Sequence, residues 1–153
     1  MDSESLYQQA YNQAIKYLSF RLHTLGELQD KLLRKRLPQQ VVLEVLHRLE
    51  ELDFLNDERY ARVFVENLKQ YKDFGYYGIK AKLLRKRIPT EIIARVLDEF
   101  FSLEDETKVA RRYAEKLKRR RRSTYEKLVR SFSSKGFRTE VIAEVARDEI
   151  SDK

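Results

Sequence analysis

The sequence predicts an all-α protein made of three tandem three-helix repeats that form an elongated, curved array. The main observation is a repeated segment: the letters LLRKR followed by Leu37-Pro38 return 51 residues later, followed by Ile88-Pro89. A third, weaker copy ends at Phe137, a further 49 residues along the chain. Periods near this size are typical of repeat architectures. Glycine and proline, four and two residues of 153, are rare enough to favour helices throughout.

Apolar residues recur at matching positions when the repeats are placed at 1–53, 54–102 and 103–153. Because buried positions are the ones restricted to apolar types, these columns predict one core face shared by all three repeats. The clearest columns are Ala10, Ala61 and Ala110; Leu28, Ile79 and Leu128; Leu32, Leu83 and Phe132; and Val42, Ile93 and Ile142.

Local signals divide the first repeat into three helices. The first helix is expected from about Leu6 to Leu22, with apolar residues at spacings of three and four. Thr24 and Glu27 have the spacing of a capping box, which predicts a second helix that continues to Lys35 or Arg36. Pro38 suits the first turn of the third helix, where its missing N–H has no partner in any case.

The second and third repeats follow the same plan. An N-cap column holds Ser5, Asn56 and Asp105, which are residue types that favour helix starts. In the second repeat, helices are expected to Tyr71, from about Tyr76 to Arg87, and from Pro89 to Phe101. In the third repeat, the first helix is expected from Asp105 to Arg119 or Arg120. The second helix is expected to begin after a cap at Ser123 or Thr124 and to end at Ser134, because Gly136 suits a helix terminus. The last helix is expected from Thr139 to Ile150.

Composition limits the class of protein. The chain has no cysteine, which excludes disulfides and thiolate chemistry and fits a reducing, cytoplasmic compartment. No apolar run approaches the roughly 20 residues of a membrane span, and the polar N-terminal segment is not a secretory signal. The net charge of +7 is distributed as −1, +3 and +5 over the three repeats, which indicates a nucleic-acid or other polyanion partner.

Few residues are suited to catalysis, so an enzyme is not predicted, and no cofactor or metal is expected. The only histidines, His23 and His47, are interpreted as ordinary surface or boundary residues. The acidic run from Asp98 to Glu106 is interpreted as a helix end followed by an acidic first turn, because such charges favour helix N-termini.

The basic clusters are the stronger signal for binding. Six of the seven residues from 116 to 122 are basic, and a basic triplet precedes each proline of the repeat. Helix-dipole complementation or a solvated face explains part of this charge. Phosphate contact, independent of base sequence, is the functional interpretation. The candidate DNA- or filament-binding residues are Arg85, Lys86, Arg87, Lys116, Lys118, Arg119, Arg120, Arg121, Arg122 and Lys127.

A second set of residues is a candidate for contact with a partner. Aromatic residues cluster at Tyr71, Phe74, Tyr76 and Tyr77, and Tyr77 is expected to be exposed because its column also holds Gly26 and Glu126. An exposed tyrosine among lysines suits base stacking or protein contact, and packing within its own repeat is the alternative. The possible partner contacts are Arg34, Lys35, Arg36, Lys72 and Tyr77.

The chain resembles the RecX family of bacterial regulatory proteins from about Tyr11 to Ile150. Three segments carry the resemblance: Arg21-x-x-Thr24-x-x-Glu27-Leu28-x-x-Lys31-Leu32, Leu52-Asp53-Phe54-Leu55-Asn56-Asp57-x-x-Tyr60-Ala61, and Gly75 with Ile79-x-x-x-Leu83. Ser134-Lys135-Gly136-Phe137 extends the resemblance into the third repeat. Asp53, Arg36 and Arg87 stand where the family usually has glycine.

We expect a monomer. The resemblance implies a non-enzymatic protein that binds in the groove of the RecA–DNA filament. It further implies inhibition of RecA ATPase, recombinase and co-protease activities, in the context of DNA repair, homologous recombination and the SOS response. Two alternatives remain from the residues alone. One is a sequence-independent nucleic-acid-binding module without a RecA role, and the other is a helical scaffold for a different protein.

Overall fold

The computed structural model describes residues 2–120 and 124–151, and every regular element in these ranges is an α-helix. This confirms the all-α prediction. The helices are α1 (Ser3–Phe20), α2 (Leu25–Arg34), α3 (Gln39–Glu51), α4 (Asp57–Tyr71), α5 (Tyr76–Arg85), α6 (Thr90–Phe100), α7 (Leu103–Arg120), α8 (Tyr125–Ser134) and α9 (Thr139–Ser151).

The helices pack in three successive sets. In each set the third helix lies against the other two: α3 against α1 and α2, α6 against α4 and α5, and α9 against α7 and α8. Each helix buries a stripe of apolar residues at helical spacing, so three of them together enclose a small core. The repeat boundaries at 1–53, 54–102 and 103–153 remain predictions.

The apolar interior is divided unequally among the repeats. The first repeat has its own core, from Ala10 to Leu55. The second and third repeats share one continuous core, which extends from Ala61 to Ala146 and includes the fully buried Phe101 and Phe132. The helical array therefore consists of one small block and one block of double size.

The turns before the third helices require left-handed backbone. Arg36, Arg87 and Gly136, which occupy one column of the repeat, have φ angles of 62°, 63° and 78°. A left-handed residue cannot continue an α-helix, so α2 ends at Arg34 and α5 ends at Arg85. The sequence had predicted later ends, at Lys35 or Arg36 for α2 and at Arg87 for α5. Asp53, with φ 62°, is a further non-glycine residue in this conformation.

Several predicted helix starts are displaced. Thr24, Asn56 and Thr124 are N-caps as expected. The prediction was wrong for the first helices of repeats one and three, whose caps lie one turn earlier, at Asp2 and Ser102. Pro38 and Pro89 are cap residues rather than first helical residues, because their extended ψ angles of about 140° lie outside the helix.

Two similar joints connect the repeats. At the first joint, Leu25 N donates to Asp57 Oδ1 (2.9 Å) and Thr24 Oγ1 donates to Lys86 O (2.6 Å). At the second joint, Tyr76 N donates to the buried Glu106 Oε2 (2.9 Å) and Gly75 N donates to Lys135 O (2.9 Å). Each joint therefore sets a carboxylate and a backbone carbonyl of one repeat against the start of a second helix in the preceding repeat.

The accessible surface indicates an extended molecule. It measures 9635 Å², whereas a compact protein of 18.4 kDa exposes about 8,200 Å². The curvature of the array remains a prediction. Among the described residues, no helix is both long and apolar enough to cross a membrane.

Candidate nucleic-acid interface

Positive charge is concentrated in a groove of about 840 Å³ that crosses the second joint and reaches α2. We call it the basic groove. Six of its lining residues are basic and two are acidic, so it presents a positive field to a polyanion. Its lining residues are Glu27, Phe64, Leu68, Tyr71, Lys72, Asp73, Phe74, Lys82, Arg85, Lys86, Lys116 and Lys135.

Phe74 organises the cations at the second joint. Lys82 Nζ lies 4.2 Å from the ring centroid, and Lys135 Nζ of the next repeat lies 4.9 Å from it. The negative face of an aromatic ring attracts ammonium groups at such distances. The ring therefore holds two lysines from different repeats close together in the groove, at a spacing that repulsion would otherwise oppose.

Asp73 forms ion pairs with two basic residues of α7 at one side of the groove. Its Oδ2 accepts from Lys116 Nζ at 2.6 Å, and its Oδ1 accepts from Arg112 Nε at 3.2 Å. Arg112 also donates to the carbonyls of Lys69 (3.1 Å) and Gln70 (3.0 Å) at the end of α4. These contacts fix α7 against the end of α4, and they neutralise part of the charge that Lys116 brings to the groove.

The structure places four predicted contact residues in the basic groove: Arg85, Lys86, Lys116 and Lys72. Arg85 and Lys72 make no ion pair with any described side chain. Lys86 Nζ lies 3.7 Å from Glu27 Oε2, so it is partly neutralised. The groove thus contains free and paired cations side by side.

The other predicted cations lie elsewhere. Arg87 belongs to the first joint, where its Nη1 donates to Gly26 O (3.2 Å) and to Asp30 Oδ1 (2.5 Å). Lys118 pairs with Glu115 and with the buried Glu149 of α9. These two cations are engaged within the fold.

The remaining predicted cations are exposed or outside the description. Arg119 and Lys127 are exposed without a described side-chain partner, as are Arg34, Lys35 and Arg36 of the first repeat. Arg120 is described only as the last residue of α7, and Arg121 and Arg122 lie outside the described residues. Tyr77 is exposed as predicted, with its ring edge-on to Tyr76, but it lies outside the basic groove.

Three further groove residues suited to nucleic-acid contact were not among the predicted contacts: Lys82, Lys135 and Tyr71. The repeat columns contain a signal for the two lysines, because Lys82 aligns with Lys31 and Lys135 aligns with Lys86. Tyr71 was noted as part of the aromatic cluster, but its exposure depends on where α4 ends. Its side chain is 63% exposed.

The interpretation of the histidines as ordinary surface or boundary residues holds for the exposed His47 and is wrong for His23, which is buried. It aligns with Phe74 and is 4% exposed. Its Nδ1 contacts Arg21 O at 3.0 Å, and Lys31 Nζ donates to its Nε2 at 2.8 Å. Burial lowers the pKa of His23, and the nearby cations Arg21 and Lys31 lower it further.

Glu27 forms ion pairs with nearby cations at the first joint. Its Oε2 accepts from Arg21 Nη2 at 3.2 Å, and its Oε1 accepts from Thr24 N at 3.0 Å within the capping box. Burial by itself would raise the pKa of Glu27, but the hydrogen bonds from Thr24 and Arg21 hold it below its ordinary value. The carboxylate therefore stays charged opposite the surrounding cations.

The described residues contain no group of three or more His, Asp or Glu side chains able to hold a metal ion. What the groove can do chemically is attract phosphates through its cations and offer an exposed ring to an unpaired base.

Comparison with known proteins identifies the family. Residues 10–49 match the first three-helix domain of RecX, and residues 56–97 match the second. The chain is 33% identical over 148 residues to the regulatory protein RecX of Bacillus subtilis (strain 168), covering 94% of this chain and 55% of that protein. It is also 33% identical over 135 residues to the regulatory protein RecX of Caldanaerobacter subterraneus subsp. tengcongensis, covering 88% and 68%.

A solved structure agrees with these matches. The crystal structure of RecX from Lactobacillus salivarius is similar with a TM-score of 0.87 and 28% identity, covering 95% of this chain and 97% of that one. The chain spans about half the length of the Bacillus subtilis relative. With both family domains matched in order and the helical fold shared, the chain belongs to the RecX family of regulatory proteins.

Proposed function

We propose that this chain binds the RecA–DNA filament and inhibits the ATPase, recombinase and co-protease activities of RecA. Its membership of a family of regulatory proteins supports a regulator, and the basic groove is the observation that carries the proposal. A groove that crosses a joint of an extended array presents its cations along a line, which suits a long polyanion better than a small ligand.

The chemistry of the groove favours recognition independent of base sequence. Lysine and arginine side chains contact phosphates, and each phosphate neutralised adds about −0.7 to −0.9 to the slope of log K against log salt. Among the predicted contacts in the groove, Lys72 and Arg85 are best placed for this role, because neither pairs with a described carboxylate. We expect them to face the DNA or an acidic surface of the filament.

The test is DNA-dependent ATP hydrolysis by RecA on single-stranded DNA, with this protein added in increasing amounts. Inhibition below one molecule per RecA subunit is expected. The double variant Lys72→Glu and Arg85→Glu is expected to weaken inhibition while the helical circular dichroism signal is unchanged. Lys108→Glu is the matched control, since this lysine is exposed on α7 outside the groove. No inhibition at stoichiometric protein and low salt would refute the proposal.

The basic run of the third repeat provides a second contact for the same proposal. Arg119 is exposed at the end of α7 and continues into a basic segment of the sequence. Reversing Arg119, Arg120 and Arg122 to glutamate is expected to weaken filament binding without loss of helix. Unchanged binding would remove this run from the interface and leave the groove as the contact.

A second candidate function is nucleic-acid binding without any role toward RecA. The observation that favours it is the exposed Tyr71 beside Lys72 in the groove, which together suit bare DNA. This function predicts tight binding to DNA alone at physiological salt. It also predicts that any loss of RecA activity is reversed by adding excess DNA, because the protein would act only by sequestering the substrate.

A further inference from the structure

The arrangement of rings and cations at the second joint has a counterpart at the first. The same repeat offsets of 51 and 49 residues that align the core also align exposed and half-buried residues of the two joints. The matching pairs are Phe20 with Tyr71, Arg21 with Lys72, Lys31 with Lys82, Arg34 with Arg85, and Lys86 with Lys135. Cations occupy four of the five columns, and aromatic rings occupy the fifth.

Phe20 and Tyr71 are the most exposed large apolar side chains of the described residues, at 76% and 63%. Each is the last residue of the first helix in its repeat, α1 or α4, and each precedes a basic residue. Neither ring stacks on another described aromatic side chain. Leaving such rings in water is unfavourable for the isolated protein, so their repetition at one position indicates a partner that covers them.

The lysine of each second helix is held beside a buried or half-buried ring. Lys82 Nζ lies 4.2 Å from the centre of Phe74, and Lys31 Nζ lies 2.8 Å from Nε2 of the aligned His23. Lys86 lines the basic groove and also contacts Glu27 of the first repeat. The cations therefore continue from the second joint to the first.

We propose that each joint carries one subsite for single-stranded nucleic acid, with a base stacked on Phe20 at the first joint and on Tyr71 at the second. The aligned lysines and arginines contact the intervening phosphates. This inference rests on the proposed function and names the form of its nucleic-acid partner. A duplex fits less well, because its bases are already stacked on both faces, whereas unpaired bases stack on aromatic side chains regardless of sequence.

The test measures binding of fluorescent oligothymidine to the full chain, without RecA, by anisotropy at several salt concentrations. Stacking on one aromatic side chain contributes enough that Tyr71→Ala is expected to weaken binding between about fivefold and about a hundredfold, and Phe20→Ala similarly. Because the subsites act on one strand, the double variant is expected to lose about the product of the two factors. Tyr71→Trp is expected to retain affinity, and the slope of log K against log salt is expected to be unchanged in all four ring variants.

Phe54→Ala is the matched control, since Phe54 is an exposed aromatic residue outside the basic groove. Equal losses for Phe54→Ala, equal losses on a duplex of the same length, or unchanged affinity in Tyr71→Ala would each overturn the inference. RecA ATP hydrolysis measured with the same variants separates the two proposals. Retained inhibition with unchanged oligothymidine binding refutes the subsites alone, whereas absence of inhibition by the unaltered protein refutes the proposed function.

Discussion

Replacing Arg36 with glycine is expected to stabilise the protein. Arg36 has a φ angle of 62°, and its exposed side chain makes no hydrogen bond or ion pair with the described residues. The left-handed conformation costs a non-glycine residue about 1–2 kcal/mol. Glycine avoids this cost but has about 0.4–1 kcal/mol more conformational entropy to lose on folding. The net expectation for Arg36→Gly is a gain of about 0.5–1 kcal/mol in the free energy of unfolding.

The aligned residue Arg87 provides a matched comparison with the opposite expected sign. Its φ angle is 63°, so Arg87→Gly relieves the same backbone strain. The change also removes the hydrogen bonds from the guanidinium to Gly26 O and Asp30 Oδ1. A hydrogen bond to a charged group contributes about 1.5–3 kcal/mol, and we take the lower end because the side chain is half exposed. Arg87→Gly is therefore expected to destabilise by about 1 kcal/mol or less.

Urea denaturation followed by circular dichroism measures both changes. The two glycine variants are expected to change the free energy of unfolding in opposite directions, with the same dependence on urea concentration. Equal changes of the same sign would refute this expectation, because the backbone term would then outweigh the contacts of Arg87. Arg36→Ala serves as a control, since it removes the same side chain and keeps the left-handed cost.

Three further changes test the joints. Because burial lowers the pKa of His23 from its ordinary 6.5, the unfolded chain takes up the proton first as the pH falls. Stability is therefore expected to decrease from about pH 7.5 to about pH 5.5, and less so in His23→Phe. Glu106→Ala leaves Arg138 without its 2.5 Å ion pair and is expected to lower the free energy of unfolding by about 3 kcal/mol. In Gly75→Ala the new Cβ would lie 2.3 Å from Phe137 Cα, so the second joint must open, and amide hydrogen exchange at residue 75 and its neighbours should accelerate relative to the unaltered protein.

The predictions for His23 and Glu106 each have an outcome that would contradict them. The same pH dependence in His23→Phe as in the unaltered protein would show that other groups govern stability in this range. Glu106→Gln is the control for Glu106→Ala, since it keeps an acceptor for Tyr76 N and should lose less. If the two variants lose equally, the charge and not the hydrogen bond to Tyr76 is what the second joint requires.

The core could be predicted from the sequence because it depends on residue type alone. Columns such as Leu28, Ile79 and Leu128 are apolar in every repeat, and all three residues are buried. Local caps were also predictable when the signal lay within one turn, as for Thr24 with Glu27. The cap at Ser102 was not predicted because Asp105 is the residue that aligns with Asn56, although Ser102 and Asp105 hydrogen-bond to each other at this helix start.

The distribution of charges between interface and fold could not be predicted in the same way. Arg87 and Lys116 belong to basic clusters in the sequence, yet their carboxylate partners Asp30 and Asp73 lie 57 and 43 residues away. Which cations remain free depends on how the repeats are set against each other. Arg36 gives no local sign of a turn, because arginine favours helices, and the signal for its left-handed conformation is its alignment with Gly136.

The unequal division of the core has a mechanical consequence. The second and third repeats share one core, so bending between them would break apolar contacts. At the first joint the cores on the two sides are separate, and hydrogen bonds connect the repeats. Hydrogen bonds tolerate small rotations that a packed interior does not. On a polymer of irregular pitch, repeats two and three would behave as a rigid body, and the first repeat would rotate relative to them about the first joint.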